Sequence, residues 1–289
     1  MLTESKYCIK TQYNRLAKLT RILVHIHALR CFGATPGDGN PALVITDDDS
    51  DAPARQALAR ARDTTCVWID PAPPGAAATL DFYYPHTRSP LCLHATLAAA
   101  QLLFARHGVQ APLTVRTAMH GQGLGLERAG EALFVRLARQ VVMPAVMPAA
   151  LAPGQVARLL RAPAAALAGP AQVASVGSPK LLVELRTPAE LHALAPDLAA
   201  ILAWSKDAGV NGIYAYCRRT DGVVEGRNFN HPDPLLEDSA TGVAAAALSL
   251  LLGHGLTLLQ GRATGRNCLI QTRIDQDAVL VGGRVEALA

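Results

Sequence analysis

Two short stretches carry the residue types that proton transfer needs. Glu237-Asp238-Ser239-Ala240-Thr241-Gly242 places two carboxylates and two hydroxyls before a long apolar run. Cys92-Leu93-His94-Ala95-Thr96 places a thiol and an imidazole before a second alanine-rich run, which ends at His107-Gly108. A carboxylate and an imidazole held against a bound carbon acid can take its proton and return it. Free N–H groups at a helix start attract anions, so both stretches also suit a substrate carboxylate. Each has a plainer use as well. Asp238 or Ser239 would serve as an N-cap, stabilising by about 1 kcal/mol; His94 would be a satisfied core histidine, and Cys92 a small buried hydrophobe. The joint occurrence of the two stretches favours a shared site.

The elements that must position these residues read as a mixed α/β chain. Ile22 to Leu29 alternates in character and is rich in β-branched residues, as a half-buried strand is. A Gly/Pro loop then runs into a short apolar strand. The stretch 51–63 reads as a helix with Asp51 as N-cap and Pro53 in its first turn. Strand signals follow at "TCVWID" and "TLDFYY", then a helix from about Leu93 to Arg106. The Pro/Ala-rich stretch 141–170 reads as a connection carrying one short helix. Strands at "KLLVEL", "GIYAYC" and "GRNF", helices across 188–205 and from Ala240, and two closing strands complete the pattern. Aligning Ala95-Thr96 with Ala240-Thr241 gives an offset of 145 residues (240 − 95), about half of the 289, as an internal duplication would.

Composition narrows the classes. Half the residues are hydrophobic and 17% are charged, enough apolar material for one large domain or two lobes. A net charge of +4 with scattered arginines and 4% aromatics argues against nucleic acid as a partner. The longest near-apolar run, Gly242 to Gly253, is too short to cross a bilayer, so no membrane partner is expected. The six cysteines (8, 31, 66, 92, 217 and 268) form no CxxC pair and no metal-like spacing with histidine, so free thiols in a reducing cytoplasm and no metal are expected. Residues 1–21 carry five Lys/Arg and one acid without an apolar core. They read as a disordered extension rather than a secretory signal.

Against that background the chain resembles the PhzF-like (phenazine biosynthesis-like) isomerase family, within the diaminopimelate-epimerase-like fold. The matching pieces run in family order: "GNPALV" (39–44), "DTTCV" (63–67) where the family has Ser-Glu-Thr, and "FYYPHTRSPLCLHAT" (82–96). "GRNFNHPDPLLEDSATGVAAAAL", "QGRATGRN" (260–267) and "VGG" (281–283) follow. The resemblance implies an α+β fold of two pseudo-symmetric lobes, each a curled, mostly antiparallel sheet around a central helix. It places the lobes at 22–135, joined by the strand at about 278–289, and at 136–277, with the active site in the cleft between them. It also implies a cytoplasmic homodimer of a biosynthetic kind, needing no cofactor. The reaction would be an isomerisation that moves a proton between carbons of a small carboxylate or amino-acid-like substrate. Asp63 takes the place of the shuttle carboxylate, His94 and Asp238 assist, and Asn40, Cys92, Ser239, Ala240, Thr241, Gly242 and Val243 bind substrate.

Several departures touch that pocket. Asp63 is a methylene shorter than Glu, Leu93 replaces a glycine, Arg88 stands where an acid is common, Ser239 replaces a proline and Val243 a serine. They count against the family's best-known substrate and leave two alternatives. One is a member that binds a small carboxylate or a partner without turnover. The other is a racemase or epimerase assisted by Cys92, although its second cysteine position aligns with Ser239. The remaining candidates read as ordinary: Asp47 to Asp49 as a solvated turn, His25 and His27 on a polar strand face, Trp68 and Trp204 as packing residues, Arg266 as a surface arginine. Lys180 follows a Gly-Ser-Pro turn that resembles a substrate-facing family loop.

Overall fold

The alternating and helical patterns become fifteen strands and six α-helices among the described residues. The computed structural model describes residues 24–108, 112–138, 153–234 and 237–288. The extension at 1–21 and residues 141–152 of the Pro/Ala-rich stretch lie outside these. By its contacts the chain divides into a first unit of residues 1–31, 41–133 and 285–289 and a second of 32–40 and 134–284.

In the first unit the strands are β1 (His25–Cys31), β2 (Asn40–Thr46), β3 (Cys66–Asp70), β4 (Ala78–Tyr83), the short β5 (Arg88–Ser89), β6 (Leu113–Thr117) and β7 (Gly123–Ala129). β2 pairs with β3 in parallel, β3 with β4 antiparallel, β4 with β6 in parallel and β6 with β7 antiparallel. Parallel neighbours need a long crossover. α1 (Ala52–Arg62) supplies the first and α2 (Leu93–His107) the second. With β8 (Ala132–Ala138) and β15 (Ala278–Ala287), the order β1-β2-β3-β4-β6-β7-β8-β15 closes into an eight-stranded barrel where β15 meets β1 again.

The second unit repeats this order of pairings. β10 (Lys180–Glu184) lies parallel to β11 (Ile213–Arg218), β11 antiparallel to β12 (Val224–Phe229), β12 parallel to β13 (Thr257–Gln260), and β13 antiparallel to β14 (Cys268–Asp275). Here α4 (Pro188–His192) and α5 (Leu198–Ala208) make the first crossover and α6 (Gly242–Leu252) the second. β9 (Gln172–Ala174) extends the edge beyond β10, and α3 (Pro153–Leu160) is the short helix of the Pro/Ala-rich stretch. The twofold repetition is the duplication that the offset of the two alanine-rich runs implies.

Side-chain size decides which helices lie inside. α2 is buried from Leu93 to Phe104 except at Gln101, and packs on β1, β3 and β4. α6 buries Ala244 to Ser249 and packs on β9, β10 and β14. Runs of alanine let a curled sheet approach a helix backbone on several sides at once. The outer helices instead cover one sheet face. In the second unit Leu181, Val183, Ile213, Ala215, Cys217 and Phe229 meet α3, α4 and α5. Lys180, Leu182, Tyr214 and Asn228, one position out of step, lie on the opposite face. In the first unit Ile45, Cys66, Trp68 and Tyr83 pack with Ala59 of α1.

Local signals fix the helix ends. Asp51 accepts the Ala54 N–H at 3.0 Å and caps α1 as its sequence position implies. Gly108 and Gly253 end α2 and α6 in the left-handed conformation. α6 therefore stops at Gly253, before the His254-Gly255 pair that parallels the end of α2. The Asp47–Asp49 turn is less solvated than its composition implies, because half-buried Asp48 accepts from the Trp68 indole N–H at 2.7 Å.

Candidate active site

Glu237 and Asp238 are neighbours with separate work. Glu237 holds the Arg227 guanidinium through both oxygens, at 2.8 and 3.1 Å, and both side chains are largely buried. Arg227 also donates to the Leu194 carbonyl at 2.9 Å. That pair ties the loop before α6 to β12 and to the end of α4. Asp238 turns to the head of α6 instead. Its Oδ1 accepts from Asn40 Nδ2 at 3.0 Å and from the Ala240 N–H at 3.3 Å, and its Oδ2 accepts from Thr241 Oγ1 at 2.9 Å.

Gln260, at the end of β13, locks the arrangement. Its amide Nε2 donates to the Asp238 carbonyl at 2.6 Å and to Thr241 Oγ1 at 3.0 Å. Its Oε1 accepts from the Thr241 N–H at 3.1 Å and from Tyr214 OH at 3.0 Å. The directions are consistent: Tyr214 gives to Gln260, Gln260 to Thr241, and Thr241 to Asp238. Burial, then the charges of Asp238 and Glu237, push the Tyr214 phenol far above its ordinary value, so it stays a donor. Cys268, at the start of β14, has its thiol pushed up to about 12 by burial and then by Asp238, with Arg266 opposing.

Thr241 is the N-cap of α6 but makes no side-chain cap bond; its hydroxyl is spent on Asp238. The first helical N–H groups with partners inside this end are those of Ala244 and Ala245, both on the Thr241 carbonyl. Among the described residues the N–H groups of Gly242 and Val243 have no acceptor. They are the unsatisfied donors that a helix start leaves and that an anion fills. Ser239 is buried and its Oγ lies 2.7 Å from Thr264 Oγ1, so the serine that replaces proline pins the loop to the turn after β13.

In the first unit, Cys92 and His94 begin α2. Both are buried, and Cys92 Sγ is 3.4 Å from His94 Nδ1. Cys92 is the N-cap without a side-chain bond of its own to the helix. Its carbonyl accepts from Thr96 Oγ1 at 2.8 Å. Asp63 is exposed at the end of α1, in the left-handed conformation with φ 45° and ψ 40°, and its N–H donates to the Arg60 carbonyl. Aspartate is among the few non-glycine residues that accept this conformation readily. Its residue type therefore has a backbone cause, apart from any chemistry.

Two expected residues move in character. Lys180, which follows the Gly-Ser-Pro turn that resembles a substrate-facing family loop, is 1% exposed. Arg88, which stands where an acid is common, pairs with buried Asp81 at 2.8 Å. Asp81 also meets Arg55, which holds Asp70 at 2.7 Å. Arg88 thus completes a charge network on β4. Gln260, Tyr214 and Asn228 are the site residues the sequence reading missed. Gln260 and Asn228 left a signal, inside "QGRATGRN" and "GRNFNHPDPLLEDSATGVAAAAL"; Tyr214 left only the strand pattern of "GIYAYC". Among the described residues no three His, Cys, Asp or Glu side chains are grouped to hold a metal ion, and no helix is long and apolar enough to cross a membrane.

Comparison with known proteins follows the same outline. Residues 29–287 match a family model described as phenazine biosynthesis-like protein. A Salmonella typhimurium protein named uncharacterized isomerase YddE is 26% identical over 267 residues, covering 86% of this chain and 89% of its own length. Its Escherichia coli K12 namesake is 32% identical over 117 residues, so the chain spans 39% of that relative's length and 36% of its own. Among solved structures, a Pseudomonas aeruginosa protein described as a "Predicted Epimerase" superposes with a TM-score of 0.76 at 26% identity, over 91% of this chain and 96% of the other.

Proposed function

The chain belongs to the phenazine biosynthesis-like family, and on that footing we propose that it is a cofactor-independent isomerase that moves a proton between carbons of a small carboxylate or amino-acid-like substrate. The observation that carries this reading is the head of α6. There Asp238 is fixed on both oxygens beside two N–H groups, those of Gly242 and Val243, that have no partner among the described residues. A bound carboxylate would occupy the N–H groups and the positive end of the helix. The fixed aspartate would then face the adjacent carbon as base, and as acid on return of the proton.

Asp238, rather than Asp63, is the carboxylate assigned the transfer, because Asp63 is exposed and fitted to its backbone. His94 is assigned as the assisting imidazole. Asn40 and Thr241 aim the carboxylate, while Ser239 and Ala240 shape the loop. The relatives named isomerases and the neighbour described as an epimerase agree with a reaction of this class. A cytoplasmic homodimer is proposed with it.

Deuterium uptake tests the proposal. In heavy water, candidate amino acids and cyclic acids incubated with the protein should gain solvent-derived label at carbon, followed by NMR. Asp238→Asn should lose at least about a hundredfold in that rate, the scale of general acid–base catalysis. If no bound ligand gained label, the isomerase reading would give way to the binding protein.

One contact favours a second reading. Cys92 Sγ lies 3.4 Å from His94 Nδ1, the arrangement that activates a thiol as base. Alkylation of Cys92 decides it: full exchange activity after complete modification rules the thiol mechanism out.

A further inference from the structure

Lys180 opens β10 and is buried to 1% exposure. Its Nζ donates to the Asn211 carbonyl at 2.6 Å and to Asn228 Oδ1 at 2.8 Å. Both acceptors are neutral, and among the described residues no carboxylate pairs with it. An ammonium has three N–H donors and a neutral amine has two. The two acceptors match the amine. A buried ammonium without a counter-ion would be costly. In keeping with this, burial pushes Lys180 down to about 7, with the charge of Asp238 acting the other way.

The acceptors are themselves held. Asn228 Nδ2 donates to Asn230 Oδ1 at 2.9 Å, and Asn211 Nδ2 donates to Ser178 Oγ at 2.9 Å. Between Asn211 and β11, Gly212 has φ +78°, and a Cβ there would lie 2.3 Å from the Phe229 carbonyl oxygen, so this turn has no freedom to adjust. Asn228 lies across the β11–β12 pair from Tyr214, which reaches Gln260 and so the Asp238 loop. The groups around Lys180 are few. β9 and α6 carry no ionisable side chain. On this face β11 presents Tyr214 and Tyr216, the latter donating to Glu184 at 3.3 Å, and β12 presents Asn228. Glu184, at the far end of β10, pairs with Arg218. Asp238 is the carboxylate whose charge reaches the amine.

We propose that Lys180 is a positioning residue of the Asp238 site: as a neutral amine it holds Asn228 and the 211–212 turn, and on protonation it sets a buried positive charge opposite Asp238 that weakens it as a base. The inference rests on the reading of Asp238 as the proton-transferring group. It deepens that reading by predicting a pH limb that Asp238 alone would not give. Proton exchange should rise as pH increases through about 7.

NMR of protein labelled in its lysine side chains tests the inference without turnover, since the chain has five lysines and one variant assigns the signal. Lys180 should titrate near 7 in the wild-type protein, and Asp238→Asn should move that transition to lower pH. A side chain that stays charged past about pH 9, or a transition that Asp238→Asn leaves unmoved, overturns the inference. In the exchange assay, Lys180→Gln keeps two N–H donors and cannot titrate. It should retain activity within about tenfold at high pH and lose the limb near 7, while Lys180→Met, without donors, should lose thermal stability. An unchanged limb in Lys180→Gln also overturns it. Absence of label with every substrate would instead count against the isomerase reading, and the NMR titration would still decide the state of Lys180.

Discussion

Asp63 and Asp238 show how far one residue's role depends on its backbone. Asp63 occupies a left-handed position that glycine fills with less strain. Asp63→Gly therefore removes the carboxylate and leaves the turn at ease. Exchange should stay within about threefold of wild type, with thermal stability unchanged or higher by a fraction of a kcal/mol. A loss of two orders of magnitude with the fold intact would return the shuttle to Asp63. At this scale the sequence was partly legible. Asp51 could be read as a cap because its partner, Ala54, is three residues away. Asp238 could be read as a candidate, but Asn40 lies 198 residues from it, and no local pattern joins them. The burial of Lys180 was equally hidden, because it is created by β9, β11 and β12 and not by the flanking Gly-Ser-Pro.

At the scale of elements, the two central helices were legible for a physical reason. A helix wrapped by a sheet needs small side chains all round, so it shows alanine runs where a surface helix shows an apolar stripe. Their offset in sequence then announced the duplication, while the parallel crossovers within each copy were not legible from it. The loop before α6 was harder. Glu237 and Arg227 are ten residues apart, and their bidentate pairing decides which of two adjacent acids is free for chemistry. Glu237→Gln leaves the guanidinium largely buried with its counter-charge gone. The expected cost is roughly 2–4 kcal/mol in urea unfolding, with exchange falling only as the loop loosens. Unaltered stability would show that the carbonyls of Leu191, 3.4 Å from the guanidinium, and Leu194 suffice to hold Arg227.

For the molecule as a whole, the two units share one order of strand pairings but differ in how their sheets are completed. The first unit closes through β1 and β15, with Leu29 opposite Ala287 and Cys31 opposite Val285. Family resemblance carried this architecture into the sequence reading. The assignment of residues 32–40 to the second unit was not visible there, although it brings Asn40 to Asp238.

That closure also gives the protein a timetable. From Cys31 to Val285 there are 254 residues (285 − 31), and a ribosome adding about 5–20 residues per second needs roughly 10–50 s to make them. For that interval β1 has one edge with no partner yet synthesised, an aggregation hazard for a growing chain. Nascent chains arrested before residue 285 should be cut by protease within the first unit, and chains released with residues 285–289 in place should resist. Equal resistance in both would mean that β1 is shielded by something other than β15.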